Sequence, residues 1–351
     1  MAYTSIDDPS VYFQIATYTG NGTDNTAITN DGNSDLQPDW IWIKRTSSSE
    51  DHQLADSTRG VTKWLHSNLT NAESTTTARL KSFDTDGFTL GDAGSTNNSG
   101  DTFVAWQWKA NGGTTSSNTD GSLTSTVQAN TTAGFSIVTY SNPSTNNNTI
   151  GHGLGVQPEI IIFKNTVDTI DWYVASKYLS NYTTKYLELN SSDAEATSAD
   201  GMNSTAPTSS VFSVGGISRT GDSGNEVVAY CFASKQGYSK IGSYTGNGAN
   251  DGPFIYTGFK PAFLLFKRVP NDRNWVIIDN KRDPHNVASK RLFPDSTSAN
   301  NALPNLVDLV SNGFKVRHLN VIINSSGEKY IYMAFAENPF VTSKGNPVTA
   351  R

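Results

Sequence analysis

The chain has 351 residues, of which 36% are apolar and 17% charged, with 29 glycines, one cysteine and a formal net charge of −6. That length admits two or three domains of roughly 100–150 residues, and the acidic balance argues against a nucleic-acid partner, whose phosphates need clustered Lys and Arg. The single cysteine, Cys231, excludes an internal disulfide framework and a Cys-ligated zinc site.

In chain order, residues 1–13 read as a leader, with Asp8-Pro9 as a turn before the first strand. Met1 to Asp8 has neither a basic region nor an apolar core of signal-peptide length, so an extracellular destination would be reached by lysis or within a particle. No apolar run approaches the ~18 residues of a transmembrane helix, and no membrane partner is expected. From residue 14 onward one pattern recurs three times. Its anchors are a Tyr (Tyr18, Tyr140, Tyr244), a Pro opening an apolar run (Pro38, Pro158, Pro261), a Phe after a turn (Phe88, Phe212, Phe314) and a last-strand aromatic (Trp108, Phe232, Phe335). Each anchor returns after 120–124 residues and again after 102–104. Such a long period means repeated units of one fold, among which a catalytic constellation rarely survives triplication.

The copies span 14–110, 134–237 and 238–340. Residues 111–133, almost all Gly, Ser, Thr and Asn, read as a linker too poor in apolar residues to pack by itself, and 341–351 as a polar tail. Each copy opens with an aromatic strand and a tight turn, Thr19-Gly20-Asn21-Gly22 in the first and Thr245-Gly246-Asn247-Gly248 in the third. The Pro-led strands, such as Trp40-Ile41-Trp42-Ile43-Lys44, are apolar on both faces, which suits cover on both sides, and each ends in Lys. The last strands, such as Phe103-Val104-Ala105-Trp106-Gln107-Trp108, alternate aromatic and small residues, as if one face were buried and the other freer. These signals predict an all-β chain of three tandem antiparallel β-sandwich domains. Leu303, Leu306, Leu309 and Val310 predict one short helix, at 302–310.

Most candidate chemistry dissolves against the repeat. Gly221-Asp222-Ser223-Gly224 has the look of a serine nucleophile, but Ser99-Gly100-Asp101 and Ser326-Gly327-Glu328 occupy the matching places, and copy two offers only His152 as a base. Asp84-Thr85-Asp86-Gly87 begins like a calcium loop and lacks its closing Glu. The glycines of 151–155 lack the dinucleotide spacing. The five histidines show no metal spacing, and no cofactor is expected. Asp56 with Arg59, and Asp279 with Arg282, form a recurring Asp-x-x-Arg pair that reads as a structural turn clamp, replaced in copy two by Ser176 to Leu179. Trp64 has no counterpart in the other copies and, with His66 beside it, is the expected exposed ligand contact.

The wording Trp40-Ile-Trp-Ile-Lys, Asp56-Ser-Thr-Arg59-Gly60, Asp86-Gly-Phe-Thr-Leu-Gly91, Asn98-Ser-Gly-Asp-Thr-Phe-Val-Ala-Trp106-Gln-Trp-Lys-Ala110 and Gly134-Phe-Ser-Ile-Val-Thr-Tyr140 resembles a tandem β-repeat family of marine bacteriophage virion proteins. Copy three joins through its Thr-Gly-Asn-Gly turn and Met333-Ala-Phe-Ala-Glu337. The resemblance implies lectin- or jelly-roll-like sandwiches on the outside of a particle assembled in the host cytoplasm, as a tail-fibre-like or head-decoration protein. It brings no catalytic residue. Expected partners are other capsid or tail proteins, further copies of the chain, and a host surface glycan. A glycan hydrolase and an architectural cement protein are the alternatives, the first needing two acids converging in one cleft.

Overall fold

In the computed structural model, which describes residues 3–348, the chain is all-β, its antiparallel sheets pairing into sandwich-like units. Copy one contains β1 (Phe13–Thr19), β2 (Thr26–Ile28), β3 (Trp40–Arg45), β4 (Gln53–Asp56), β5 (Lys63–Trp64), β6 (Ser74–Thr75), β7 (Leu80–Asp84), β8 (Gly87–Leu90) and β9 (Thr102–Trp108). Next come β10 (Ser116–Asn118) and β11 (Ser125–Asn130). Copy two holds β12 (Phe135–Ser141), β13 (Asn148–Gly151), β14 (Ile160–Asn165), β15 (Tyr173–Ser176), β16 (Lys185–Tyr186), β17 (Ala196–Thr197), β18 (Val211–Val214) and β19 (Glu226–Phe232). Copy three holds β20 (Ser239–Thr245), β21 (Phe254–Tyr256), β22 (Phe259–Arg268), β23 (Val276–Asp279), β24 (Ala288–Arg291), β25 (Asn301–Val310), β26 (Gly313–Val316) and β27 (Lys329–Pro339).

Each copy builds an inner sheet of the same order: β1-β9-β3-β4, β12-β19-β14-β15 and β20-β27-β22-β23. The registers match position for position, with Trp40 opposite Trp108, Ile160 opposite Phe232 and Phe263 opposite Phe335. A separate outer sheet covers each: β2-β8-β7, β13-β18 and β21-β26-β25-β24. The Phe anchors meet an Ile there, Phe88 opposite Ile28, Phe212 opposite Ile150 and Phe314 opposite Ile255.

Alternation along the strands then divides the apolar residues between two destinations. In copy one Ile41, Ile43, Phe103 and Ala105 pack under the outer sheet with Phe88 and Leu90, whereas Trp40, Trp42, Trp106 and Trp108 point the other way. The outward-from-sandwich faces of all three copies meet in one shared core: Trp40, Trp106 and Trp108 with Ile160, Tyr230 and Phe232, and with Phe263, Met333 and Phe335. Trp108, Phe232 and Phe335 touch pairwise, ring centroids 6.4, 5.6 and 5.8 Å apart, and mark an approximate threefold axis. The last strands therefore have no freer face. Alternate residues fill the common core, ending in Trp108, Phe232 and Phe335, and those between them, among them Ala105, Ala229 and Ala334, fill the private ones.

Three expectations change with this arrangement. Residues 111–133 are not a loose linker, because β10 and β11 extend the inner sheet of copy two to the order β10-β11-β12-β19-β14-β15. Asn130 Nδ2 also donates to the Ala110 carbonyl at 3.0 Å, which ties the segment to copy one. A strand added at a sheet edge draws on main-chain bonds, so it needs few apolar side chains of its own. The helix expected at 302–310 is β25, in which Asn305 takes a positive φ of 59° and the pairing with β24 is irregular. That irregularity breaks the period-two pattern and leaves a false helical spacing among the leucines. The leader and tail are tied down as well. Thr4 Oγ1 donates to Gln236 O at 2.7 Å, and Ser343 N donates to Asp7 Oδ1 at 2.6 Å. Residues 1, 2 and 349–351 of those segments lie outside the described residues.

Candidate functional site

The Asp-x-x-Arg pairs sit where the last inner-edge strands end. Asp56 Oδ1 accepts Arg59 N at 2.9 Å and Oδ2 accepts Arg59 Nε at 2.7 Å; in copy three the corresponding distances are 2.8 and 2.6 Å. That much is a turn clamp. The carboxylate also reaches the next copy: Tyr230 donates its hydroxyl to Asp56 Oδ2 at 2.7 Å, and Trp106 donates Nε1–H to Asp279 Oδ2 at 3.1 Å. Trp106, Tyr230 and Met333 hold one place in the three last strands, opposite Trp42, Ile162 and Leu265. Copy two faces Met333, which has no proton to donate, and there Ser176 and Leu179 replace the ion pair. Burial opposes the Arg59 charge, but Asp56, Tyr230 and Glu73 together hold its pKa above the ordinary guanidinium value.

Two further groups close the ring. Lys44, Lys164 and Lys267, each the last residue but one of its Pro-led strand, are buried, and each donates to a carbonyl of the preceding copy in the cycle: Lys164 to Thr70 O at 2.9 Å, Lys267 to Ser192 O at 2.7 Å and Lys44 to Thr297 O at 3.1 Å. Burial lowers each ammonium to a pKa of about 8. Trp172 Nε1 donates to His66 O at 2.9 Å and Trp275 Nε1 to Glu188 O at 2.8 Å. His52 takes the third place. Its Nδ1 accepts Trp42 Nε1–H at 2.8 Å, so Nε2 carries the proton given to Phe293 O at 3.0 Å. Burial pushes the His52 pKa down, consistent with that neutral tautomer. The repeated lysine was visible in the sequence, but of its two carbonyl partners, one in its own copy and one in another, neither was.

Trp64 and His66 are not an exposed contact. Trp64 is 0% exposed within the private core of copy one, under the Arg79 guanidinium 5.5 Å from its ring centroid. His66 is 8% exposed, with Nδ1 bonded to His52 O at 2.9 Å. In the fold Trp64 has a counterpart, Tyr186 of β16, likewise buried and with the Arg219 guanidinium 5.4 Å from its ring centroid; a two-residue strand does not announce that its second side chain packs inward. Gly221 to Gly224 is a turn, with Asn225 N donating to Asp222 O at 2.8 Å. Asp84 to Gly87 is the β7–β8 turn, where Thr89 and Ser82 hydroxyls satisfy Asp84. Among the described residues no three His, Cys, Asp or Glu side chains gather as a metal set, and no helix is long and apolar enough to cross a membrane.

One cleft lies between copies three and one. It has a volume of about 280 Å³, with a floor of Phe13, Ile15, Ala262 and Ala336 and a polar rim that includes Gln14, Asp31, Asn280, Lys281 and Glu337. Lys281 crosses it to Asp31 at 2.7 Å. A second depression of about 400 Å³ continues past Thr17 and Thr19 toward Lys281 and Lys290. Nothing in the sequence singled out this surface, since it arises from a difference between boundaries that share the same clamp.

No curated protein and no solved structure matches the chain. One family profile covers all three copies together, as a shared core requires: the chain belongs to the family described as a domain of unknown function (DUF7483), matched over residues 8–339.

Proposed function

We propose that the chain is a non-enzymatic component of a phage virion surface, tail-fibre-like or head-decorating, that contributes to particle structure and attaches to a host surface or glycan. In this reading the sandwich units are lectin-like and further copies assemble around one another. The observation that carries it is the fate of the polar residues. The clamp carboxylates, the strand lysines and His52 are spent on closing the ring, while equivalent polar loops at 21–25, 143–147 and 247–251 stay exposed. Two of these loops are held by a buried Asn: Asn97 accepts Asn21 N at 2.9 Å and Asn324 accepts Asn247 N at 2.8 Å. Pinned main chain with exposed Asn, Thr and Ser side chains, several of them fixed by local hydrogen bonds, suits polar recognition at low ordering cost. Immunogold labelling of purified particles from a producing culture is expected to decorate their exterior. Gold confined to debris, or cleavage of host polysaccharide by the pure chain, defeats the reading.

A further inference from the structure

The three boundaries share their lysines, and two of them the clamp, but they differ along the free edge of the first inner strand. In an antiparallel pair alternate residues aim N–H and C=O at the partner, and the rest aim them away. Lys109 N donates to Tyr12 O and Gly20 N to Asp101 O, so Gln14, Ala16 and Tyr18 face β9, while Phe13, Ile15, Thr17 and Thr19 turn their main-chain groups outward. In copy two β11 takes the matching groups, with Asn130 opposite Phe135, Gln128 opposite Ile137 and Thr126 opposite Thr139. In copy three the preceding turn takes them near the strand start: Ser239 N donates to Lys235 O and Ile241 N to Ser234 Oγ, each at 2.9 Å.

Among the described residues the outward groups of β1 have no such main-chain partner. The segment before β1 turns away through Pro9–Val11 and crosses to copy three, where the Tyr3 hydroxyl donates to Gly258 O at 2.8 Å. The two depressions described above follow this edge, one on Phe13–Ile15 and the other on Thr17–Thr19, and Lys281 borders both. Phe13–Thr19 carries neither Pro nor Lys, the usual devices that block an open edge.

We propose that an extended segment of a partner protein completes this edge, adding to β1 as an antiparallel strand with a carboxylate side chain opposite Ile15. The molecule contains its own template. Gln128, opposite Ile137, donates to Ser57 Oγ at 2.9 Å and to Thr58 Oγ1 at 2.8 Å in the clamp loop of copy one. At the open boundary Asn280 and Lys281 hold those two places, so the side chain opposite Ile15 meets an ammonium instead of a pair of hydroxyls. Lys281 is paired there only with Asp31, whose side chain is 69% exposed, and a carboxylate within the groove takes over that role. Strand addition of this kind draws affinity from main-chain bonds and selectivity from alternate side chains. This contact goes beyond the attachment reading and does not depend on it.

The probe is the capped peptide Ser-Thr-Val-Glu-Ala-Asn, which is β11 with Gln128→Glu, titrated into the full chain and followed by amide NMR and hydrogen exchange. Expected are shifts and protection at Ile15 and Thr17, with binding roughly threefold tighter than for the Gln peptide. Lys281→Ala erases that preference. Thr17→Pro removes one outward N–H at an edge where proline is tolerated, and abolishes binding with the melting temperature kept. The proposal is overturned by absence of shifts at millimolar peptide, by shifts centred on β10 or β20, or by an unchanged preference in Lys281→Ala. It is also overturned if self-association of the chain alone protects the same amides, which assigns the edge to a second copy.

Discussion

Replacing the clamp of copy one with the solution used by copy two separates packing from charge. Asp56→Ser alone leaves the Arg59 guanidinium, whose side chain is 3% exposed, with Glu73 as its remaining ion-pair partner and removes the acceptor of the Tyr230 hydroxyl. Breaking a buried pair from one side costs about 3–5 kcal/mol, and the surviving Glu73 contact puts this case near the lower end, about 3 kcal/mol. The triple change Asp56→Ser, Arg59→Leu and Tyr230→Met reproduces the Ser176, Leu179 and Met333 set. Exchanging a buried ion pair for apolar residues of similar volume is often near neutral, so the triple variant is expected to lose about 1 kcal/mol. Urea unfolding reads both. At a slope of roughly 3 kcal/mol per M, the single variant shifts its midpoint down by about 1 M and the triple by about a third of that. A triple variant as unstable as the single one, or less stable, refutes the view that clamp and partner are chosen together across the boundary.

Stability should also depend on pH through the ring lysines. Because burial lowers their native pKa to about 8, from about pH 8 to 10 the unfolded chain binds more protons than the native one and stability rises with pH. Above about pH 10 the buried tyrosines, whose pKa values are raised by burial, reverse the trend. A urea midpoint that falls steadily from about pH 7.5 contradicts this. At Gly87, where φ is 106°, an added Cβ would lie 2.0 Å from Ile28 O, whereas at Gly100, where φ is 83°, it would meet nothing within 4 Å. Gly87→Ala is expected to cost about 3 kcal/mol or more and Gly100→Ala about 1 kcal/mol; equal thermal shifts would contradict the geometry. Residues 134–237 expressed alone should collapse without cooperative unfolding, since Ile160, Tyr230 and Phe232 lose the shared core; a sharp urea transition of the fragment would count against it.

The repeat, the all-β class and the strand anchors were legible in the sequence, because Pro38, Tyr18 and their counterparts mark positions whose backbone and burial recur in each copy. The double-sided cover of Trp40 to Ile43 was legible too. What covers the second face was not, since mutual packing of the copies leaves no local signal distinguishable from three separate sandwiches. Trp64 was misjudged for a related reason: its counterpart in the fold is a tyrosine, Tyr186, and a two-residue strand gives no pattern that says which way a side chain points. The segment 111–133 looked loose because its bonds are main-chain and amide bonds, to which apolar content is blind. The clamps were found as pairs within a turn, while their acceptor role toward Trp106 and Tyr230 awaited the third dimension.

Differential scanning calorimetry of the full chain tests the shared core most directly. A single cooperative body predicts one transition with a calorimetric enthalpy of about 240 kcal/mol near 60 °C and a ratio to the van't Hoff enthalpy near one. Separate transitions, or a ratio near three, would mean that the copies melt as independent units and would contradict the account.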